Sequence, residues 1–288
     1  MMHEQPLCFA CAGDTLVGIL SLPADAQPQP QVGVLVLVGG PQYRAGSHRQ
    51  FVLLARYLAS AGIPVLRFDV RGMGDSTGDP RDFTELNADI AAAIDAFQQA
   101  CPSLKGVVLW GLCDAASVAL LYWHECRDVR LQGMVLLNPW VRSDVGLARA
   151  RVRHYYRDRL LQAAFWKKLL GGKLSLWSSL CEGLRNWRLA RRAAAGAEAG
   201  TFQSRMAGAL REFPGPLLFL LSGKDITGQE FADWASGEYA GSDWRQRPGW
   251  QCRTLVEADH TFSRSDWQRE VEVLTADWLH STVIPEVR

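Results

Sequence analysis

Short apolar segments alternate with amphipathic helical segments along most of this chain, and this order restricts the possible folds more than any other feature. The strand-like runs are residues 32–38, 64–68, 106–110, 131–137, 216–221 and 252–257, and the helical segments are 51–61, 82–100, 115–124, 231–239 and 263–280. Two further strand-like runs, 7–12 and 15–20, precede them around a turn at Gly13 and Asp14. Strands that alternate with helices form parallel sheets with right-handed crossovers. The sequence therefore predicts an α/β fold whose mostly parallel sheet is flanked by helices.

One internal segment interrupts this alternation. Residues 145–195 have a helical pattern without strands. Residues 142–211, which include them, contain 15 Lys and Arg against 4 Asp and Glu, whereas the rest of the chain contains 16 against 26. So large a difference in charge indicates a separate structural unit. We therefore predict a core formed by residues 1–141 and 212–288, with a basic helical lid, residues 142–211, inserted after the sixth strand.

A candidate nucleophile lies between the strand 106–110 and the helix 115–124. Residues 111–115 read Gly-Leu-Cys-Asp-Ala, which is the nucleophile-elbow pattern G-x-S-x-G with Cys for Ser and Ala for the last Gly. Small residues on either side leave room for a sharp turn, and the N-terminus of the following helix favours a thiolate. Free cysteines are also common as small buried residues. Because of the strand–turn–helix context, we predict that Cys113 is the nucleophile of an α/β-hydrolase fold and that Ser117, one helical turn later, points away from it.

The same fold requires an acid and then a histidine further along the chain. Asp225 follows the strand 216–221, and His260 follows the strand 252–257. We predict that His260 is the general base and that Asp225 orients it, although Asp225 also suits a turn or a helix cap and Asp259 is a weaker candidate for the acid. A Cys–His–Asp triad works without a metal ion or an organic cofactor, and neither is predicted.

The loop after the strand 32–38 is predicted to complete the site. One donor to an oxyanion is expected to be the backbone N–H of Asp114. The loop reads Gly-Gly-Pro-Gln-Tyr-Arg at 39–44, and Pro41 has no N–H at the usual donor position. Gln42 is therefore the predicted second donor, through its backbone or its side chain. Three further polar residues are predicted to contact the substrate: Tyr43, Arg44 and His48. For His48, and for Arg49 beside it, a solvated loop position is the alternative.

Residues 39–44 and 46–51, together with 110–116, resemble the exosortase A system-associated hydrolase 1 family, and the resemblance runs over nearly the whole chain. It implies a bacterial α/β-hydrolase linked to exopolysaccharide production and exosortase-dependent protein sorting, without an established substrate. The elbow cysteine is also similar to that of dienelactone hydrolases and polyhydroxyalkanoate synthases, which use Cys with Asp and His. Residues 69–76 resemble the D-x-R-G-x-G-x-S loop of many α/β-hydrolases, and we interpret them as a structural turn.

Three functions are compatible with these features. The first is hydrolysis of an ester or thioester, on a small molecule or an acyl carrier, through an acyl-enzyme. The second is transfer of the acyl group to a hydroxyl or an amine. The third is a non-catalytic module docked on a membrane by the basic segment, whose arginines accompany Trp166, Trp177 and Trp187. A solvated lid that covers the active site is the simpler interpretation of that segment, and its charge also suits an anionic substrate such as a CoA thioester.

The remaining features bear on location and partners. The first residues lack the basic and apolar regions of a signal peptide, and the seven cysteines show no disulfide spacing, so a cytoplasmic protein is predicted, at the inner face of the membrane if the basic segment binds lipid. Cys8 and Cys11 are interpreted as alternate strand positions rather than zinc ligands. No nucleic-acid-binding module is recognisable. The sequence leaves the acyl group, the acceptor and the oligomeric state open.

Overall fold

The computed structural model describes residues 2–24, 29–40, 42–142, 201–237 and 249–284. The chain divides into two units, one formed by Met1–Val141 and Arg205–Arg288 and the other by Arg142–Ser204. The first unit carries the sheet described below. Residues 143–200, which make up most of the predicted lid and include its three tryptophans, lie outside the described residues. The lid and its contact with a membrane therefore stay predictions.

Eight strands form one sheet, in the spatial order β1-β2-β4-β3-β5-β6-β7-β8. The strands are β1 (Met2–Cys11), β2 (Asp14–Pro23), β3 (Val32–Leu37), β4 (Val65–Phe68), β5 (Gly106–Leu112), β6 (Leu131–Leu137), β7 (Leu217–Ser222) and β8 (Trp250–Leu255). β2 pairs antiparallel with both β1 and β4, and every other pairing is parallel. The predicted mostly parallel sheet is confirmed.

Helices cover both faces of this sheet. They are α1 (Gln50–Ser60), α2 (Asn87–Ala100), α3 (Asp114–Cys126), α4 (Phe202–Glu212), α5 (Ile226–Ser236) and α6 (Ser265–Trp278). On one face Val34 of β3 shares a buried cluster with Leu58 of α1 and Trp278 of α6. On the other face, the neighbouring Gly33 lies against the ring of Phe97 in α2. Alternate residues of a strand point to opposite faces, so the apolar runs of the central strands serve both layers.

Two helices begin at different residues from those predicted. The predicted helix 82–100 starts at Asn87, because the Asp82 carboxylate accepts the N–H of Thr84 and caps a separate short 3-10 turn. The predicted helix 231–239 starts at Ile226, since the Asp225 carboxylate caps it by accepting the N–H of Gly228. In both cases a carboxylate that binds a nearby N–H sets the boundary.

Helix α4 falls at the end of the predicted lid, yet from Arg205 onward it belongs to the unit that carries the sheet. Met206 and Leu210 are fully buried, and Arg205 forms an ion pair with Glu125 of α3. The boundary between the units therefore falls at Ser204 rather than at residue 211. Among the helices described, none has the length and the apolar character that crossing a bilayer requires.

The topology also places the site. Since the strands from β3 to β8 are parallel, their carboxyl ends meet at one edge of the sheet, and the loops that follow them lie side by side there. The residues predicted to do chemistry follow β3, β5, β7 and β8.

Candidate active site

Cys113 occupies a sharp turn between β5 and α3. Its backbone has φ 63° and ψ −122°, a conformation that residues with a side chain rarely adopt and that concentrates at functional sites. The turn is held by its own backbone, since the Cys113 N–H donates to the Leu137 carbonyl at 2.8 Å and its carbonyl accepts the N–H groups of Ala116 and Trp140, each at 3.1 Å. The thiol is partly exposed at the carboxyl edge of the sheet.

Two glycines make room for this turn. A Cβ at Gly111 would lie 2.6 Å from backbone atoms of Ala115, a distance that the backbone cannot relieve without moving. A Cβ at Gly39, in the loop after β3, would lie 2.7 Å from the N atom of Ala115 and still closer to the Asp114 carboxylate. The first of these constraints is the steric requirement behind the elbow pattern, and the second joins the elbow to the neighbouring loop.

Ser117, the alternative hydroxyl nucleophile, lies one turn into α3. It is completely buried, and its hydroxyl donates to the Trp140 carbonyl at 2.6 Å. It is therefore turned into the protein, as its position on the helix predicted.

The imidazole and the predicted acid lie together. The Nδ1 atom of His260 is 2.8 Å from a carboxylate oxygen of Asp225, which also accepts the N–H of Gly228 at 3.0 Å. Asp225 thus caps α5 and contacts the imidazole at the same time, so the two roles considered for it are compatible. With Nδ1 engaged by the acid, Nε2 is the ring nitrogen left for Cys113, whose interaction with the imidazole is among the causes that raise the pKa of His260.

Electrostatics favour the charged form of this pair. The hydrogen bond to Asp225 and then that to Cys113 raise the pKa of His260 to about 10, although partial burial opposes the shift. For Asp225, burial acts to raise the pKa, but the hydrogen bond and the charge of His260 outweigh it and hold the pKa below its usual value. The imidazolium and the carboxylate of Asp225 therefore stabilise each other beside the candidate nucleophile.

Asp259, the weaker candidate for the acid, binds its own loop instead. Its carboxylate accepts the N–H groups of Thr261 at 3.2 Å and Ser263 at 3.0 Å, and also the Ser263 hydroxyl. These bonds shape the turn that follows His260. Of the two carboxylates, the one in contact with the imidazole is that of Asp225.

Two buried residues that were not predicted from the sequence, Asn138 and Ser222, support the loop that carries His260. The side-chain amide of Asn138, at the end of β6, donates to the His260 carbonyl at 3.1 Å and to the Ser222 hydroxyl at 2.8 Å. The Ser222 hydroxyl in turn donates to the Asp259 carbonyl at 2.7 Å. Asn138 has φ 42°, a conformation that Asn tolerates better than most residues, and an Asn at a strand end was the signal available in the sequence.

The loop after β3, residues 38–46, lies beside the elbow, and we call it the β3–α1 loop. Its backbone donors are largely committed: the Gly40 N–H donates to the Asp114 carboxylate at 2.6 Å, and the Gln42 N–H donates to the Gly40 carbonyl at 2.8 Å. Of the two alternatives for Gln42 as an oxyanion donor, the side chain is therefore the one left. Its amide oxygen is buried without a hydrogen-bond partner among the described residues.

Arg44 forms ion pairs within the protein, and its contact with substrate stays a prediction. Its backbone N–H donates to the Asp69 carboxylate at 2.7 Å, and its guanidinium pairs with that same carboxylate and, at 2.8 Å, with Asp75. Asp69 is completely buried, and Arg44 is nearly so. Residues 69–76 thus act as the structural turn that their pattern predicted, and Arg44 fastens the β3–α1 loop to them.

The other two predicted substrate contacts are exposed. Tyr43 donates its hydroxyl to Asp75 at 2.9 Å, and its ring lies 4.3 Å from the Arg44 guanidinium. His48 is exposed and lies near Asp259. Both residues are thus accessible to a ligand, and a role in binding stays a prediction. In the part of the chain that the structure describes, no group of three His, Cys, Asp or Glu side chains is arranged to hold a metal ion.

A nucleophile in a strained strand–helix turn, on a mostly parallel eight-stranded sheet, defines the class of α/β-hydrolases. The chain belongs to the alpha/beta hydrolase family, whose model matches residues 34–273.

Some known proteins are similar to this chain in structure, and others are similar to it in sequence. An esterase of Pyrococcus furiosus, Pf2001, has the same fold at a TM-score of 0.64 and 16% identity, over 98% of this chain and 94% of that one. A dienelactone hydrolase of Anabaena variabilis gives a TM-score of 0.60 at 16% identity, over 98% and 99% of the two chains. In sequence, the acyltransferase drtE of Aspergillus calidoustus is 28% identical over 125 residues, which are 41% of this chain and only 38% of that protein.

Proposed function

We propose that this protein hydrolyses an ester or a thioester through an acyl-enzyme on Cys113. The observation that carries the proposal is an arrangement of groups from separate loops: Cys113 in the strained turn, and the imidazole of His260, which interacts with Cys113 and has its Nδ1 atom 2.8 Å from the carboxylate of Asp225. This is the geometry in which an acid orients a base and the base activates a nucleophile.

The first half of the reaction forms the acyl-enzyme. The Cys113 thiolate attacks the carbonyl carbon, and the carbonyl π electrons move onto oxygen. When this oxyanion collapses, the bond to the leaving alcohol or thiol breaks, and His260 gives that group its proton. The backbone N–H of Asp114, at the start of α3, and the Gln42 side chain are the proposed donors to the oxyanion.

The second half needs His260 as a base. Hydrogen bonding to Cys113 is one of the causes that raise the pKa of His260 to about 10 in the free enzyme. Once the sulfur carries an acyl group it is no longer an anion, so this contribution disappears and the pKa of His260 falls. The imidazole then accepts a proton from water, which attacks the thioester and releases the acid.

Mass spectrometry of the protein after incubation with p-nitrophenyl esters and with N-acetylcysteamine thioesters tests this proposal. We expect the acyl group on the peptide that contains Cys113, and no acylation or turnover in Cys113→Ala. The matched control is Cys126→Ser, which removes an exposed thiol at the end of α3. An acyl group on another residue, or unchanged turnover in Cys113→Ala, contradicts the proposal.

The second candidate function is transfer of the acyl group to a hydroxyl or an amine, and the similarity to an acyltransferase over 125 residues favours considering it. The acyl-enzyme is the same, and only the acceptor differs. Product analysis with and without glycerol, monosaccharides and amines separates the two. Acylated acceptor at the expense of free acid indicates transfer, whereas a constant yield of acid indicates hydrolysis.

The resemblance of residues 39–51 and 110–116 to exosortase-associated hydrolases supports a proposed role in exopolysaccharide production or protein sorting in the bacterial cytoplasm. Contact with the inner face of the membrane through residues 142–211 is a further proposal, based on their charge. Flotation with anionic liposomes at low salt tests it, and protein that stays in the unbound fraction contradicts it.

A further inference from the structure

The side chain of Asp114 has no role in the mechanism above, which uses only its backbone N–H. Its carboxylate nevertheless lies between the elbow and the β3–α1 loop. One oxygen accepts the Gly40 N–H at 2.6 Å, and the other accepts the N–H of Ala115 at 3.0 Å. A single side chain, adjacent in sequence to Cys113, therefore joins the two loops that must supply the oxyanion donors.

The residue at position 39 leaves space for the Asp114 carboxylate. Gly39 lacks the Cβ that would otherwise lie 2.0 Å from one Asp114 oxygen. Burial raises the pKa of Asp114, and the N–H groups of Gly40 and Ala115 work against this shift, as bonds to an anion do. A charge-assisted bond of this kind is about twice as strong as one between neutral groups.

Gln42 lies between two loop residues whose backbone N–H groups are bound by carboxylates. Before it, Gly40 is held by Asp114 of the elbow, and after it, Arg44 is held by the buried carboxylate of Asp69. Between them the Gln42 N–H closes a tight turn onto the Gly40 carbonyl. The described residues of the loop, 38–40 and 42–46, form no helix or strand, so hydrogen bonds to neighbouring segments help to hold it beside Cys113.

We propose that Asp114 is a positioning residue that holds the β3–α1 loop in register with the elbow, so that Gln42 can serve the oxyanion. This inference rests on the proposed function, because it assigns a purpose to the loop only if an oxyanion forms at Cys113. It concerns formation of the tetrahedral intermediate and not activation of the thiol, which belongs to His260 and Asp225.

Two reactions of Cys113 separate these effects. Alkylation by iodoacetamide requires a reactive thiolate but forms no oxyanion, whereas the burst of acylation by p-nitrophenyl acetate requires both. The variants are Asp114→Ala, which removes the acceptor, and Asp114→Asn, which keeps an acceptor oxygen without the charge. Asp277→Ala is the control, because it removes an exposed carboxylate from α6.

We expect Asp114→Ala to be alkylated within about twofold of the wild-type rate but acylated about 10–100-fold more slowly, approaching the loss of one oxyanion donor. Asp114→Asn should recover most of the acylation rate, and Asp277→Ala should match the wild type in both reactions. Acylation of Asp114→Ala at the wild-type rate or faster overturns the inference, as does an equal loss of both reactions.

Failure of this inference can be distinguished from failure of the proposed function. If the wild-type protein is neither alkylated nor acylated at Cys113, the proposed function itself fails. If Asp114→Ala does not fold, Asp114→Leu takes its place, because it keeps most of the side-chain volume and removes the acceptor. Asp114→Leu should then lose acylation selectively, and equal acylation rates in wild type and Asp114→Leu would overturn the inference.

Discussion

The elbow at Cys113 and the β3–α1 loop lie next to each other at the edge of the sheet, but they are held in place in different ways. The elbow is fixed by its own backbone, through contacts within residues 111–117 and with the ends of β6. The loop is fixed by two carboxylates far away in sequence, Asp69 and Asp114. Local steric requirements leave a motif in the sequence, whereas distant polar contacts leave none.

Breaking the elbow should have the largest effect. Gly111→Val places a Cβ 2.6 Å from the backbone of Ala115, so β5 and α3 must separate and the turn at Cys113 opens. We expect the free energy of unfolding to fall by more than about 3 kcal/mol, since overpacking against backbone cannot be relieved by a rotamer change. Both alkylation and acylation of Cys113 should be lost. Urea denaturation and the two labelling rates measure this, and a variant that folds and acylates normally would show that the turn tolerates a side chain there.

Loosening the loop should have a smaller and more selective effect. Arg44→Met removes the guanidinium from the buried Asp69 carboxylate, which keeps the N–H groups of Arg44 and Asp75 as partners. We expect a loss of about 1.5–3 kcal/mol of stability, which is typical for a hydrogen bond to a charged group. Acylation should slow while alkylation is retained.

Arg44→Lys is the matched control for this experiment, because it keeps the charge but not the two-sided contact with Asp69 and Asp75. It should lie between the wild type and Arg44→Met in both stability and acylation rate. If Arg44→Met instead raises KM for esters without a change in stability, Arg44 contacts substrate, as the sequence predicted, rather than holding the loop.

The difference between local contacts at the elbow and distant contacts at the β3–α1 loop also explains which features could be predicted from the sequence. The sheet, the approximate positions of five of the six helices (all but α4), and the order nucleophile, acid and histidine follow from apolar periodicity and from residues at strand ends, such as Asp225 and His260. The ion pair between Arg44 and Asp69 was not predicted, because the two residues lie 25 positions apart in the sequence. Asn138 was missed for the same reason, since its bonds reach across to Ser222 and His260.

The charge at the elbow can be examined through the pH dependence of stability. The ordinary pKa of a histidine is 6.5, and in the folded protein that of His260 is raised to about 10, chiefly by Asp225 and Cys113. A group whose pKa is higher in the folded protein than in the unfolded chain stabilises the folded state, and the effect is complete at pH values low enough to protonate the group in both states. His260 therefore contributes its full stabilisation below about pH 6.5 and loses it as the pH rises towards about 10.

Comparison of the wild type with His260→Gln measures this contribution. The difference in the free energy of unfolding should be largest near pH 6 and should shrink between pH 7 and pH 10. In a Cys113→Ala background the difference should be smaller and its decline should be complete at a lower pH, because one cause of the raised folded-state pKa is gone. A difference that stays constant across this range would mean that the imidazole is not charged beside the elbow.

The smallest effect is expected at the solvent side of the loop. Tyr43→Phe removes one hydroxyl, which donates to the exposed Asp75, while the ring stays against the Arg44 guanidinium. Exposed polar contacts contribute little, so the free energy of unfolding should change by less than about 0.5 kcal/mol. The acylation rate should also be unchanged if Asp69 and Asp114 alone fix the loop. A rise in KM at constant kcat would assign Tyr43 to substrate binding, whereas a fall in kcat would show that a third attachment, at Asp75, helps to hold Gln42 in place.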